Sequence, residues 1–267
     1  MKPVISFSGG KDSTALILWA KENLEDFQVV FCDTSWEHEL TYKYIDYVNK
    51  RLCDGQLVTI CSSKYDGFED LSIKRKRVPS TKARFCTQEL KLFPMYDYIH
   101  SLQEVPEMYV GIRAEESPSR AKMPVREFDM DYYGTWINRP LKHWTAEQVF
   151  DIHKKHNIEP NPLYKMGMKR VGCMPCIMAN LTDLREIIKR FPDIIEKVKD
   201  LETKVGRTFF PPVKIPERYR TDIDGKSGER IAFIGDIVRY LTEIRESVEQ
   251  EELFEPQSCM SFYNICE

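Results

Sequence analysis

Apolar and polar positions in the first half of the chain alternate between two periods. Val4-Ile5-Ser6-Phe7 is a short apolar run that predicts a strand, and Ser13–Asn23 carries its apolar residues at helical spacing. Gln28-Val29-Val30-Phe31-Cys32 is β-rich and ends at Asp33-Thr34. Glu39–Leu52 puts Leu40, Tyr44, Tyr47 and Val48 on one helical face. Leu57-Val58-Thr59-Ile60 predicts a third strand, Met108-Tyr109-Val110-Gly111-Ile112 a fourth, and Trp136–Leu141 a further extended piece. Strands alternating with helices predict an α/β fold with a doubly wound, mostly parallel sheet and right-handed crossovers. Ligands of such sheets lie beyond the carboxyl ends of the strands, an edge that takes in Ser8 to Ser13, Asp33 and Gly111 to Arg120.

Helical signals dominate the remainder. Thr145–His156 reads as a helix with Thr145 as its N-cap and Glu147 in the first turn. Asp183–Lys199 is helical in pattern, with a break or new start at Pro192. Ile231–Glu249 predicts another helix, after a loop near residues 206–228 punctuated by Pro211-Pro212, Pro216 and Gly225. The division implied is an α/β domain over residues 1–170 and a helical, irregular region over residues 171–267.

Composition narrows the class. The 267 residues are 42% hydrophobic and 30% charged, with a net charge of −3, as in a globular protein with a sizeable core. No apolar run approaches a membrane span, and the first strand begins almost at the N-terminus, so neither membrane insertion nor a signal peptide is expected and a cytoplasmic location is. Near-neutral charge gives no general case for nucleic-acid binding. Lys74-Arg75-Lys76-Arg77, followed by Lys82 and Arg84, is a local exception. Such a run suits a phosphate backbone, and equally a solvated loop.

Candidate chemistry concentrates in three places. Ser8-Gly9-Gly10-Lys11-Asp12-Ser13 joins the first strand to the first helix. Its backbone N–H groups and helix N-terminus converge on one spot, which suits a phosphate. Ser8 and Ser13 add hydroxyl donors, Lys11 adds charge, and Asp12 can hold Mg²⁺. The loop lacks the GxxxxGK[ST] spacing of a Walker A motif. Gly111 starts a second loop, through Arg113, Glu116 and Arg120. Its two guanidinium forks can grip phosphate, or form a surface ion-pair loop with the glutamates. The third place is Cys173-Met174-Pro175-Cys176. A CxxC pair ligates zinc, ligates an iron–sulfur cluster, or acts as a redox dithiol. Both metal options need further ligands, for which Cys86, Cys259 and Cys266 are candidates. Cys32, Cys53 and Cys61 lie in or near strand-like segments and read as bystanders.

The Ser8–Ser13 loop resembles the SGGxDS loop of the PP-loop ATP pyrophosphatases. Together with Gly111 to Arg120, Pro140-Leu141, Trp144-Thr145, Asn161-Pro162-Leu163-Tyr164 and Gly172-Cys173 through Cys176, it makes most of residues 1–180 similar to the phosphoadenosine phosphosulfate (PAPS) reductase family. The resemblance implies cleavage of ATP to AMP and pyrophosphate, with Ser8, Gly9, Gly10 and Ser13 on the pyrophosphate end, Asp12 on Mg²⁺, and Lys11, Arg113 and Arg120 supplying positive charge. Asp33, Thr34, Gly111 and Glu116 complete the implied nucleotide site. It also implies a [4Fe–4S] cluster on Cys86, Cys173 and Cys176, favoured over zinc, with Cys259 as fourth ligand or Cys266 as the alternative. By resemblance to members that place sulfur in the DNA backbone, a nucleic-acid acceptor and a cysteine desulfurase are the implied partners. Three departures set this chain apart from sulfonucleotide reductases: the first loop is intact, Ile265-Cys266-Glu267 lacks a following histidine, and Cys86, preceded by Phe85, stands alone where cluster-type reductases have adjacent cysteines. Reduction of an adenylylated sulfate, and a non-catalytic nucleotide-binding module with a structural cluster, remain the alternatives.

Overall fold

A computed structural model describes residues 2–252 apart from 131, 132 and 226. A six-stranded sheet runs in the order β3-β2-β1-β4-β6-β5. Its strands are β1 (Val4–Phe7), β2 (Gln28–Cys32), β3 (Val58–Ile60), β4 (Met108–Val110), β5 (Arg126–Asp129) and β6 (Thr135–Asn138). Parallel pairing joins all but β5, which runs antiparallel to β6 with Phe128 opposite Trp136. The α/β reading therefore holds. Strand β5 was not expected: Arg126-Glu127-Phe128-Asp129 lacks an apolar run and is an edge strand.

Helices follow the apolar periodicity closely. Helix α1 is Lys11–Asn23 and α2 is Glu39–Leu52. Helix α3 (Phe68–Lys74) follows β3, and α4 (Phe85–Thr87) passes through a π turn at Gln88–Leu92 into α5 (Phe93–His100). A short α6 (Pro118–Ala121) precedes β5. Helix α7 (Ala146–Lys155) has its Thr145 cap, with Thr145 and Gln148 forming a reciprocal capping box. The turn α8 (Pro162–Lys165) then leads to α9 (Leu181–Arg190) and α10 (Pro192–Val205). Proline at the first position of α10 supplies the break, since it can start a helix but not continue one. A small hairpin of β7 (Asp222–Ile223) and β8 (Arg230–Ile231) precedes α11 (Ile234–Glu252). No helix of the described residues is long and apolar enough to cross a membrane.

Three apolar clusters hold the layers together. Ile5, Phe7, Val29 and Phe31 pack on Leu16, Val48 and Val149 of α1, α2 and α7 on one sheet face. Val4, Val30, Met108 and Ile137 meet Met95 and Ile99 of α5 on the other. The largest cluster mixes α9, α10 and α11 with Trp36, Phe68, Leu71 and Leu90. Trp36, 1% exposed, is its centre and donates its indole N–H to the Pro175 carbonyl at 3.1 Å. This packing ties the C-terminal helices to the segment after β2.

Two close contacts have measurable consequences. A Cβ on Gly111 would stand 2.9 Å from the Asp12 carbonyl oxygen and 3.1 Å from its carbon. Backbone cannot yield cheaply, so Gly111→Ala is expected to cost about 1–3 kcal/mol, read as a lower melting temperature. Glu202, 2% exposed, accepts the N–H groups of Phe209 (2.7 Å) and Ile234 (2.8 Å). Burial raises its pKa from 4.5 to about 7. Over that interval the unfolded chain releases the proton first, so stability falls as pH rises from 4.5 to about 7. Denaturation at several pH values should show this slope, and Glu202→Gln should flatten it.

Candidate active site

The loop after β1 is built for close backbone approach. Gly9 sits at φ 74°, and a Cβ there would be 2.8 Å from Thr41 Cγ2. The Gly10 carbonyl accepts the hydroxyls of Ser13 and Thr14, both at 3.0 Å. Ser8 donates its N–H to Ser13 Oγ at 3.2 Å, and the two serine hydroxyls are 3.2 Å apart. The segment at α8 clasps this loop from outside. The buried Asn161 side chain donates to the Gly9 carbonyl at 3.1 Å and accepts the Leu163 N–H at 3.1 Å. Lys11 donates its N–H to the Tyr164 hydroxyl at 3.1 Å. His153, 1% exposed, lies with Nε2 2.9 Å from the Lys11 carbonyl and Nδ1 3.2 Å from that of Ile158. Burial lowers its pKa, against the pull of those carbonyls.

Asp12 collects the positive charge. Lys11 Nζ lies 2.5 Å from one carboxylate oxygen, and Arg113 Nε 2.5 Å from the other. Arg113 is 4% exposed, and its Nη1 also reaches Glu115 Oε2 at 2.6 Å. Glu116 accepts the Arg113 N–H at 3.0 Å and pairs closely with Arg120. Arg113 is thus a buried brace on Asp12, whereas Arg120 lines open space. Asp33 is held by the Tyr42 hydroxyl and the Ser35 N–H, both at 2.8 Å. Thr34 turns inward, donating to Glu37 Oε1 at 2.7 Å.

A cavity of about 310 Å³ joins this loop to the cysteines. Ser8, Thr34, Cys86, Cys173 and Cys176 line it together with Arg84, Lys91, Arg120 and Arg170. The fold thus closes the long sequence gap between Cys86 and the CxxC pair. The CxxC strand docks on the segment after β2: Met174 donates its N–H to the Trp36 carbonyl at 2.8 Å, and Glu37 bridges to Cys173. Cys173 Sγ is 3.4 Å from Thr34 Oγ1 and 3.5 Å from Glu37 Oε1. Burial pushes the Cys173 thiol up to about 12, against the pull of the Lys91 ammonium, and pushes Cys86 up as well. Cys173 in turn holds Lys91 above its ordinary value. Among the described residues no three His, Cys, Asp or Glu side chains converge tightly enough to hold a single metal ion. Cys259 and Cys266 lie outside the described residues.

Sequence reasoning found the two loops and the three sulfurs. It missed Lys91, His153 and Glu37. Lys91 follows Cys86 by five positions, but only the π turn aims it at the sulfurs. Cys32 and Cys53 do not line the cavity shared by the other three thiols, in keeping with the core or bystander reading.

The sequence profile of the phosphoadenosine phosphosulfate reductase domain matches residues 2–179. The chain belongs to this family. Similar members include an uncharacterised 37.8-kDa protein of Escherichia phage 186, 36% identical over 83% of this chain and 82% of that protein. Adenosine 5′-phosphosulfate reductase of Bacillus pumilus is 27% identical over 68% of this chain and 77% of its own length. Among solved structures, PAPS reductase of Candida auris in its phosphate complex superposes with a TM-score of 0.52 at 18% identity, covering 65% of this chain and 81% of that one. That likeness speaks to fold alone. In this PAPS reductase-domain chain the Asn161 clasp is open to test. Asn161→Ala leaves the Gly9 carbonyl and the Leu163 N–H without their buried partner. The expected loss is about 1–3 kcal/mol, measured by denaturant unfolding, with weaker retention of nucleotide in a fluorescence titration.

Proposed function

We propose that this chain is a PP-loop enzyme that cleaves ATP to AMP and pyrophosphate, adenylating an acceptor oxygen so that sulfur can replace it. The observation that carries the reading is the single cavity running from Ser8 to Cys86, Cys173 and Cys176. It sets a phosphate-binding loop and a thiol cluster within reach of one ligand. Ser8, Gly9, Gly10 and Ser13 would receive the pyrophosphate end of ATP through N–H and hydroxyl groups. Asp12, now shared by Lys11 and Arg113, would turn to Mg²⁺ as the triphosphate arrives and draws those cations to itself. Arg120, on the cavity wall, and Lys11 would stabilise the charge that develops on the leaving pyrophosphate. Asp33, Thr34, Gly111 and Glu116 complete the nucleotide site in this reading. The acceptor oxygen attacks the α-phosphorus and expels pyrophosphate; a sulfur nucleophile at the sulfide level then displaces AMP.

Cys86, Cys173 and Cys176 would hold a [4Fe–4S] cluster, with Cys259 or Cys266 as fourth ligand. The donor set suits it: Cys86, Cys173 and Cys176 line one cavity, and thiolates are the usual ligands of iron–sulfur clusters. When bound, such a cluster supplies electron or sulfur transfer. Lys91 beside Cys173 balances the thiolate charge that ligation creates. Cys32, Cys53, Cys61, Cys86, Cys173 and Cys176 are free thiols, which suits a reducing compartment such as the cytoplasm. A cysteine desulfurase is the matching source of sulfur: it delivers a persulfide, whose outer sulfur an external dithiol releases as sulfide while the dithiol is oxidised to a disulfide.

A second reading, reduction of an adenylylated sulfate, is favoured by the Bacillus pumilus relative and by the Lys91 ammonium next to the sulfurs. Two assays separate the readings. Anaerobically purified protein with Mg²⁺ and acceptor should convert ATP to AMP and pyrophosphate, and Asp12→Ala should lower that rate by about 10²-fold or more. Release of ADP and phosphate overturns the pyrophosphatase reading, and sulfite release from adenylyl sulfate selects the reductase.

A further inference from the structure

We propose that the surface around the cavity mouth binds the sugar–phosphate backbone of a nucleic acid. This rests on the reading of that cavity as the active site and specifies its acceptor.

The loop between α3 and α4 carries Lys76, Arg77, Lys82 and Arg84, all exposed. Exposed Lys169 and Arg170 approach the same cavity from another segment, and Arg84 and Arg170 both line it. None of these side chains makes an ion pair or hydrogen bond to another described residue. Their neighbours behave differently. Lys74 pairs with Asp70 at 2.8 Å, and Arg75 pairs closely with Glu89. The basic run therefore divides into two residues that serve the fold and others left for solvent or a ligand. The nearby carboxylates do not cancel these charges. Glu89 is buried on Arg75, and Asp183 is buried and accepts the Lys169 N–H at 2.8 Å.

The loop is also anchored. Val78 is 5% exposed within the largest apolar cluster, and Ser80 and Ala83 exchange backbone hydrogen bonds at 3.1 Å. Anchoring in the middle limits the freedom of the loop that carries the flanking exposed cations, which lowers the ordering cost of binding. A ligand confined to the cavity does not touch Lys76, Arg77 or Lys82, which are not part of its wall. A ligand that meets both is longer than one nucleotide and carries regularly repeated negative charge. The loop presents no exposed aromatic ring, since Phe85 is half-buried beneath Arg75. Recognition is then through phosphates, insensitive to sequence and sensitive to salt.

The test uses the full chain and labelled oligonucleotides of about 20 nucleotides, as single-stranded DNA, the same RNA, and duplex, in fluorescence anisotropy. The variant is Lys76→Ala/Arg77→Ala/Lys82→Ala, which leaves the cavity wall intact. Expected is a loss of at least about tenfold in affinity at about 50 mM salt, and a salt slope shallower by about 2–3. ATP binding and melting temperature should stay at the wild-type values. Wild-type affinity in the triple variant overturns the proposal, as does polyglutamate competing as well as the oligonucleotide. Comparison of the three oligonucleotides identifies the acceptor strand. Salt-dependent binding that survives a failed pyrophosphate assay would sink the ATP reading and leave this surface standing.

Discussion

One short stretch of chain, Asn161 to Cys176, holds both halves of the site. The loop after β1 turns too sharply to satisfy its own backbone. Asn161 and Tyr164 do so from outside, at the Gly9 carbonyl and the Lys11 N–H. The same stretch then continues to Cys173, whose neighbour Met174 is bonded to the Trp36 carbonyl. The loop after β1 and the CxxC pair are therefore held by a common strap.

Charge balance follows from that geometry. Asp12 is the only carboxylate directly on the loop, and two cations share it. Each cation of this triad has a partner and each carboxylate oxygen a donor. In the proposed reading a triphosphate would offer the cations more negative charge than Asp12 does, so binding would exchange partners instead of creating new charge. Gly111 makes this possible sterically, since its missing Cβ lets the β4 loop lie against the Asp12 backbone.

The legible part of the fold was the part governed by local apolar periodicity. Strands β1 to β4 and helices α1, α2 and α7 appear near their expected bounds because each packs apolar side chains against one of the clusters flanking the sheet. The Pro192 break was legible from proline chemistry alone. Strand β5 was not, because its pairing partner β6 and not its own sequence makes it a strand. In the site, motif residues stood out by type and spacing. Lys91 did not, because its direction depends on a π turn that no composition signal marks. Glu37 and His153 were hidden for another reason: buried polar residues acquire their roles from partners far away in sequence, Cys173 for one and the Lys11 carbonyl for the other.

The environments of the thiols divide their roles. A buried thiol whose protonated form is favoured is a poor nucleophile, and Cys173 is of this kind, with its thiol raised to about 12. Its S–H donates to the Glu37 carboxylate, whose negative charge also works against a thiolate, while the Thr34 hydroxyl works weakly in its favour. Loss of the proton becomes favourable only when something positive takes its place, and Lys91 alone leaves the thiol raised. The cluster proposed for this cavity would provide that compensation, so the buried setting of Cys173 and its proposed role as a ligand are mutually consistent.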